Sequence, residues 1–155
     1  MSKEELYLKT VFCCMTCDGN IDPEEVNMVK DLCENYQIFK DIDVEKYINT
    51  WISDINENGS GFLLSYLRNI SSVELNDDEQ LLLVSLALKT IEADKVIEYS
   101  EIKFFKKIRL HLSINDDLIL AKFPDKEDYL LQDINVAEEP IWDTNTSFSD
   151  ITITN

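Results

Sequence analysis

A chain of 155 residues with 14 basic against 31 acidic side chains, formally −17, repels phosphate backbones and anionic lipid. Nucleic acid and membrane surfaces are thereby poor partners for the chain as a whole, and cations, basic peptides and basic protein patches are its natural ligands. An apolar share of 45% with 10% aromatics specifies a folded core, and three glycines and three prolines supply too few turns for a many-stranded sheet.

The opening Met-Ser-Lys-Glu-Glu lacks the basic-then-apolar order of a signal peptide, so the expected location is the cytoplasm. No apolar run approaches the roughly 20 residues of a membrane span, so no direct insertion is expected. Ser2 and Glu5 form a capping-box pattern that starts a helix over about 3–16, with Leu8, Val11, Phe12 and Met15 at helical spacing. After a turn at Cys17-Asp18-Gly19-Asn20-Ile21, Asp22-Pro23-Glu24-Glu25 opens a second helix. Its signals are a capping aspartate, proline at the first helical position and glutamate at the third. That helix is expected to reach Tyr36 and to bury Val26, Val29, Leu32 and Cys33. A third, over about 44–56, carries the stripe Val44, Ile48, Trp51, Ile52 and Ile55. Asn58-Gly59-Ser60-Gly61 breaks it, and a short helix with Leu63, Leu64, Leu67 and Ile70 follows.

Asn76 and Glu79 cap a fifth helix whose Leu81-Leu82-Leu83-Val84 and Leu86-Ala87-Leu88 leave hardly any polar face, the mark of a central, buried helix. A sixth spans about 99–112 on Ile102, Phe105, Ile108 and Leu112, and a seventh covers about 118–121 before Pro124. The pattern predicts an all-α bundle of about seven helices over residues 1–123. Residues 124–155, with one basic and eight acidic side chains, are expected as an acidic tail, extended or weakly structured. Tyr129, Leu130, Leu131, Ile141 and Trp142 give that tail apolar surface to pack across the basic face of the sixth helix, at Lys103, Lys106, Lys107 and Arg109 beside His111. Within the tail, Ile151-Thr152-Ile153-Thr154 alternates like a strand that has no partner strand.

An internal repeat carries the functional signal. Asp18, Ile21, Asp22, Glu25 and Val26 recur 76 positions on as Asp94, Ile97, Glu98, Glu101 and Ile102. Each set follows an apolar helix and opens another, so the chain contains two helix–acidic turn–helix units. Packed about a pseudo-twofold axis, they would bring the two turns together. Asp18, Asp22, Glu25, Asp94, Glu98 and Glu101 are then the candidate ligands of a divalent cation. Carboxylate oxygens suit the hard ions calcium, magnesium and manganese ahead of zinc. The same residues also read as helix punctuation: Asp22 and Glu25 as a cap, and Asp18 before Gly19 as turn chemistry. An EF-hand is excluded on spacing, because counting from Asp18 puts Pro23 at the sixth place and Val29 at the twelfth.

Cys14-Met15-Thr16-Cys17 is a Cys-x-x-Cys at the wrong end of a helix, where the dipole opposes a thiolate. Cys13, Cys14 and Cys33 read as small core residues, and no second pair completes a zinc site with Cys14, Cys17 and Cys33. His111 is the one histidine and reads as a surface or helix-end residue. No nucleophile elbow, phosphate loop or zincin motif is present, so no enzyme is expected.

The stretches 17–26 (Cys-Asp-Gly-Asn-Ile-Asp-Pro-Glu-Glu-Val) and 93–102 (Ala-Asp-Lys-Val-Ile-Glu-Tyr-Ser-Glu-Ile) resemble the paired acidic motifs of the tellurite-resistance TerB-like proteins. The same domain type occurs in the N-terminal region of a membrane-linked DnaJ-type co-chaperone. The resemblance covers about residues 1–115. It implies a helical bundle, a metal site made by acids of both motifs, and protein partners in stress-linked complexes near the membrane. The second motif departs from the usual Asp-Gly in having Lys95 after Asp94, a charge that would partly neutralise the site. Two function classes follow: a divalent-metal-binding or metal-sensing module, and a metal-independent acidic protein–protein interaction domain.

Overall fold

Helix starts along this chain are set by short polar side chains that accept from the first free backbone N–H groups. Ser2 Oγ accepts from Glu5 N at 3.1 Å, Asp43 Oδ1 from Lys46 N at 3.1 Å and Asn115 Oδ1 from Leu118 N at 3.0 Å. Asn76 and Glu79 form a full reciprocal box, with bonds of 2.8 and 2.9 Å, and Lys3 pairs with Glu79 at 2.6 Å.

The computed structural model describes residues 1–93, 97, 99–130 and 148–153. Its helices are α1 (Lys3–Thr16), α2 (Pro23–Asn35), α3 (Val44–Asn58), α4 (Ser60–Ser72), α5 (Asp77–Ile91), α6 (Tyr99–Leu110), α7 (Asp116–Lys122) and α8 (Glu127–Leu130). A 3-10 turn at Gln37–Phe39 leads from α2 towards α3. The fold is all-α. No helix among the described residues is long and apolar enough to cross a membrane.

The sequence pattern makes α5 the central helix, yet α1 is the more deeply enclosed. Every residue from Leu6 to Thr16 is buried, and α1 packs on α5 most extensively, then on α4, α3 and α6. Polar residues within it survive burial because each is satisfied. Lys9 Nζ donates to Asn69 Oδ1 at 2.9 Å and lies 4.9 Å from the centroid of the Phe62 ring. Thr10 Oγ1 donates to Leu6 O at 2.9 Å and accepts from Tyr66 Oη at 2.6 Å. Phe12 packs against Trp51 and Phe62, with ring centroids 5.7 and 5.6 Å away, which ties α1 to α3 and α4. The α3–α4 break falls at Gly59, whose φ of 59° lies in the region that favours glycine.

Several boundaries differ from the pattern: the third helix runs on to Asn58 and the seventh spans Asp116–Lys122. The fourth helix is a full 13 residues, because after Gly59 the segment from Ser60 onward is free to resume helical geometry. The sixth stops at Leu110, where the Leu112 N–H turns back to Arg109 O at 3.1 Å and buries Leu112 from a loop. The region after residue 123 adds a short helix, α8, whose Tyr129 meets Phe105 of α6 edge-on at 5.8 Å, while Lys126 pairs with Glu92. Tyr129 thus reaches α6, but residues 148–153 lie on α3. Leu131, Ile141 and Trp142 fall outside the described residues.

Candidate functional site

The first acidic turn is shaped by its own short side chains. Gly19, at φ 85°, reverses the chain, and its N–H donates to Thr16 O at 2.9 Å. Asp18 Oδ1 accepts from Asn20 N at 3.0 Å, and Asn20 Nδ2 donates to Asp22 Oδ1 at 3.1 Å, so Asn20 spaces the two aspartates. Glu25 closes the turn: its Oε1 accepts from Asp22 N at 2.9 Å, the glutamate arm of a capping box.

That cap does not make Glu25 a surface residue. It is 3% exposed, and Glu101, its counterpart at the start of α6, is also 3% exposed. Burial pushes the Glu25 carboxyl up to about 9. The Asp22 N–H bond works against this, and the charges of Asp18, Glu101 and Asp22 add to it. Both buried glutamates also act on the last turn of α1. There Cys14 and Cys17 have thiols raised well above their ordinary value, first by burial and then by neighbouring thiols and carboxylates including Glu25 and Glu101. The two halves therefore converge at the C-terminal end of α1, each contributing one buried glutamate, with Asp18 half-buried beside them.

Of the six candidate ligands, Asp18, Asp22, Glu25 and Glu101 belong to this convergence. Asp94 and Glu98, with Lys95, lie outside the described residues. Among the described residues no three acidic, cysteine or histidine side chains form a ready ligand set. The donors present are hard oxygens, which fit calcium, magnesium or manganese in kind. Oε1 of Glu25 is committed to the Asp22 N–H.

Cys13, Cys14 and Cys17 are buried thiols outside any disulfide, and Cys33 is half-buried. The Cys17 Sγ–H donates to Cys14 O at 3.3 Å, a helix-end bond and not a redox pairing. His111 is exposed just past α6, with Nδ1 3.0 Å from Ser71 Oγ. Two residues the sequence reading missed are Asn49 and Asn56, seven apart on α3, which hold residues 148–153. Asparagines on a helix surface are common, and only their spacing hints at a shared ligand. No protein-family model, curated protein or solved structure matches this chain.

Proposed function

We propose that this chain is a TerB-like divalent-metal-binding or metal-sensing module, acting through protein partners in a stress-response system of the tellurite-resistance kind. One observation supports the cation part: Glu25 and Glu101, equivalent positions of the two repeats, are both buried at the same end of α1, and the charge of Glu101 adds to the proton affinity of Glu25. Buried like charges are costly, and the cost is relieved by a proton or a divalent ion. The stress-system part rests on the two-motif resemblance alone. In this reading the acids of both turns, Asp18, Asp22, Glu25, Asp94, Glu98 and Glu101, together hold the ion. The ion would supply the positive charge that lets all of them ionise together.

A second reading is a metal-independent acidic interaction domain. It is favoured by the bond from Asp22 N to Glu25, which explains Glu25 as a cap with no ion involved.

Thermal melts in millimolar calcium, magnesium, manganese and zinc separate the two. Binding stabilises by mass action, about 2.7 kcal/mol at a hundredfold excess over Kd, roughly 5–10 °C for a chain of this length. Asp18→Ala and Asp94→Ala should remove the response and leave the helices intact. Melting curves unmoved by all four ions would end the metal reading and leave the interaction domain.

A further inference from the structure

Asn49 and Asn56 treat the main chain of residues 148–153 identically. Asn49 Nδ2 donates to Ile151 O at 3.0 Å, while its Oδ1 accepts from Ile151 N at 2.8 Å. Asn56 Nδ2 donates to Phe148 O at 3.0 Å, while its Oδ1 accepts from Phe148 N at 2.7 Å. Each side-chain amide thus presents one donor and one acceptor to the C=O and N–H of a single residue, as the edge of a neighbouring strand would.

The two clamps are in register. Seven residues of helix rise about 10.5 Å, and three residues of extended chain span about 10 Å. A helix can therefore read an extended segment at every third residue through amides two turns apart. Along this segment the apolar side chains are the ones that turn inward. Ile151 is buried, Phe148 and Ile153 are half-buried, and Ser149, Asp150 and Thr152 are exposed. Main-chain bonds give affinity without sequence preference, and the inward apolar side chains give the selection, which is the logic of strand-type peptide recognition.

We propose that this face of α3 is a docking groove for an extended segment of a partner protein, and that residues 148–153 are its resident, displaceable occupant. The partner segment carries apolar side chains at the spacing of Phe148, Ile151 and Ile153. At the exposed place of Asp150 it is neutral or basic, because a chain of charge −17 favours such a segment over its own acidic one. The proposal is independent of the cation reading. The occupant belongs to the same chain, so it competes intramolecularly, at an effective concentration on the order of millimolar. If the resident segment's own intrinsic Kd is about 100 µM, a free segment binds the intact chain about tenfold more weakly than a chain whose groove is vacated.

The test uses full-length chains and a fluorescent peptide of residues 146–155, made with the native Asp150 or with the substitution Asp150→Lys. Anisotropy titrations compare wild type, Ile151→Asp, which evicts the occupant, and Ile151→Asp combined with Asn49→Ala and Asn56→Ala. Expected are binding to Ile151→Asp at least tenfold tighter than to wild type, its loss in the triple variant, and tighter binding of the Asp150→Lys peptide than of the native one. Phe148→Ala, a milder eviction, should give the same order with a smaller gap, and it serves if Ile151→Asp fails to fold. Binding to none of the chains, or to all alike, overturns the proposal. So does a concentration-dependent wild-type dimer abolished by Ile151→Asp, which would make a second copy the occupant.

Discussion

Glu25 and Glu101 occupy the same place in the two repeats, each in the first turn of the helix after its acidic turn and each 3% exposed. Burial of Glu25, with smaller additions from the charges of Asp18, Glu101 and Asp22, makes stability depend on pH in an unusual direction for a carboxylate. Glu25 titrates near its ordinary value of 4.5 when unfolded and at about 9 when folded. Between those values the native state holds a proton that the unfolded state has lost, so this group's contribution is full below about pH 4.5 and fades as pH rises towards 9. The substitution Glu25→Gln keeps an acceptor for the Asp22 N–H and removes the charge. Urea melts from pH 5 to 9 should show wild type losing stability relative to Glu25→Gln as pH rises. A gap that is constant over this range would mean that Glu25 ionises freely in the fold.

The same proton marks cation binding. At pH 7 the Glu25 carboxyl is protonated, so an ion that takes it as a ligand must expel that proton. Calorimetric titrations in buffers of different ionisation enthalpy should report about one proton released per ion bound. Affinity should rise up to tenfold per pH unit between 6 and 8. Glu25→Gln should bind more weakly and release none. Heat of binding independent of the buffer would place the ion elsewhere on this acidic surface.

The helix order was legible because it rests on local signals: the caps at Ser2, Asn76 and the Asp22–Glu25 turn, and the glycine break after α3. The enclosure of α1 was not. Lys9 and Thr10 look like a solvent face until Asn69, Tyr66 and Phe62 arrive from α4, more than 40 residues later. For the site, the repeat identified Glu25 and Glu101 as counterparts, but a glutamate in a helix's first turn ordinarily faces water, and their burial needed the packing of both halves. The alternation of Ile151, Thr152 and Ile153 was visible. Its partner was not, since side-chain amides on a helix leave no strand pattern to pair with.

Thiol chemistry gives an independent check on the packing around α1. Cys13, Cys14 and Cys17 are at most 1% exposed, and burial raises each thiol, whereas Cys33 is half-buried. Native protein treated with an aromatic disulfide reagent at pH 8 should release one thiol promptly and the other three only in denaturant. Cys33→Ser should remove the prompt phase, and millimolar zinc should leave it unchanged. Protection of Cys33 by zinc would instead point to a site shared with Cys14 and Cys17.

Gln80 joins the start of α5 to the loop after α6, and its removal should be among the costlier polar changes in this chain. Its Nε2 donates to Leu75 O at 3.0 Å and Ser113 Oγ at 2.9 Å, and its Oε1 accepts from Ser113 N at 2.8 Å and Ile114 N at 3.1 Å. The side chain is 4% exposed and Ile114 is buried, so water cannot easily replace these bonds. Gln80→Leu keeps most of the volume and orphans two backbone N–H groups and one carbonyl. At about 1–3 kcal/mol for an orphaned buried group, partly relieved at the exposed Ser113, the expected loss is about 2–4 kcal/mol. Gln80→Glu separates donor from acceptor. Its carboxylate still accepts from Ser113 N and Ile114 N but meets the Leu75 carbonyl with no proton to offer. Its pKa should therefore be raised, and its deficit should shrink as pH falls towards 5, where protonation restores a donor. Urea midpoints for the three proteins at pH 5 and pH 8 measure both effects. A Gln80→Leu chain within about 0.5 kcal/mol of wild type would show that the loop after α6 is held by Leu112 and Ile114 packing alone.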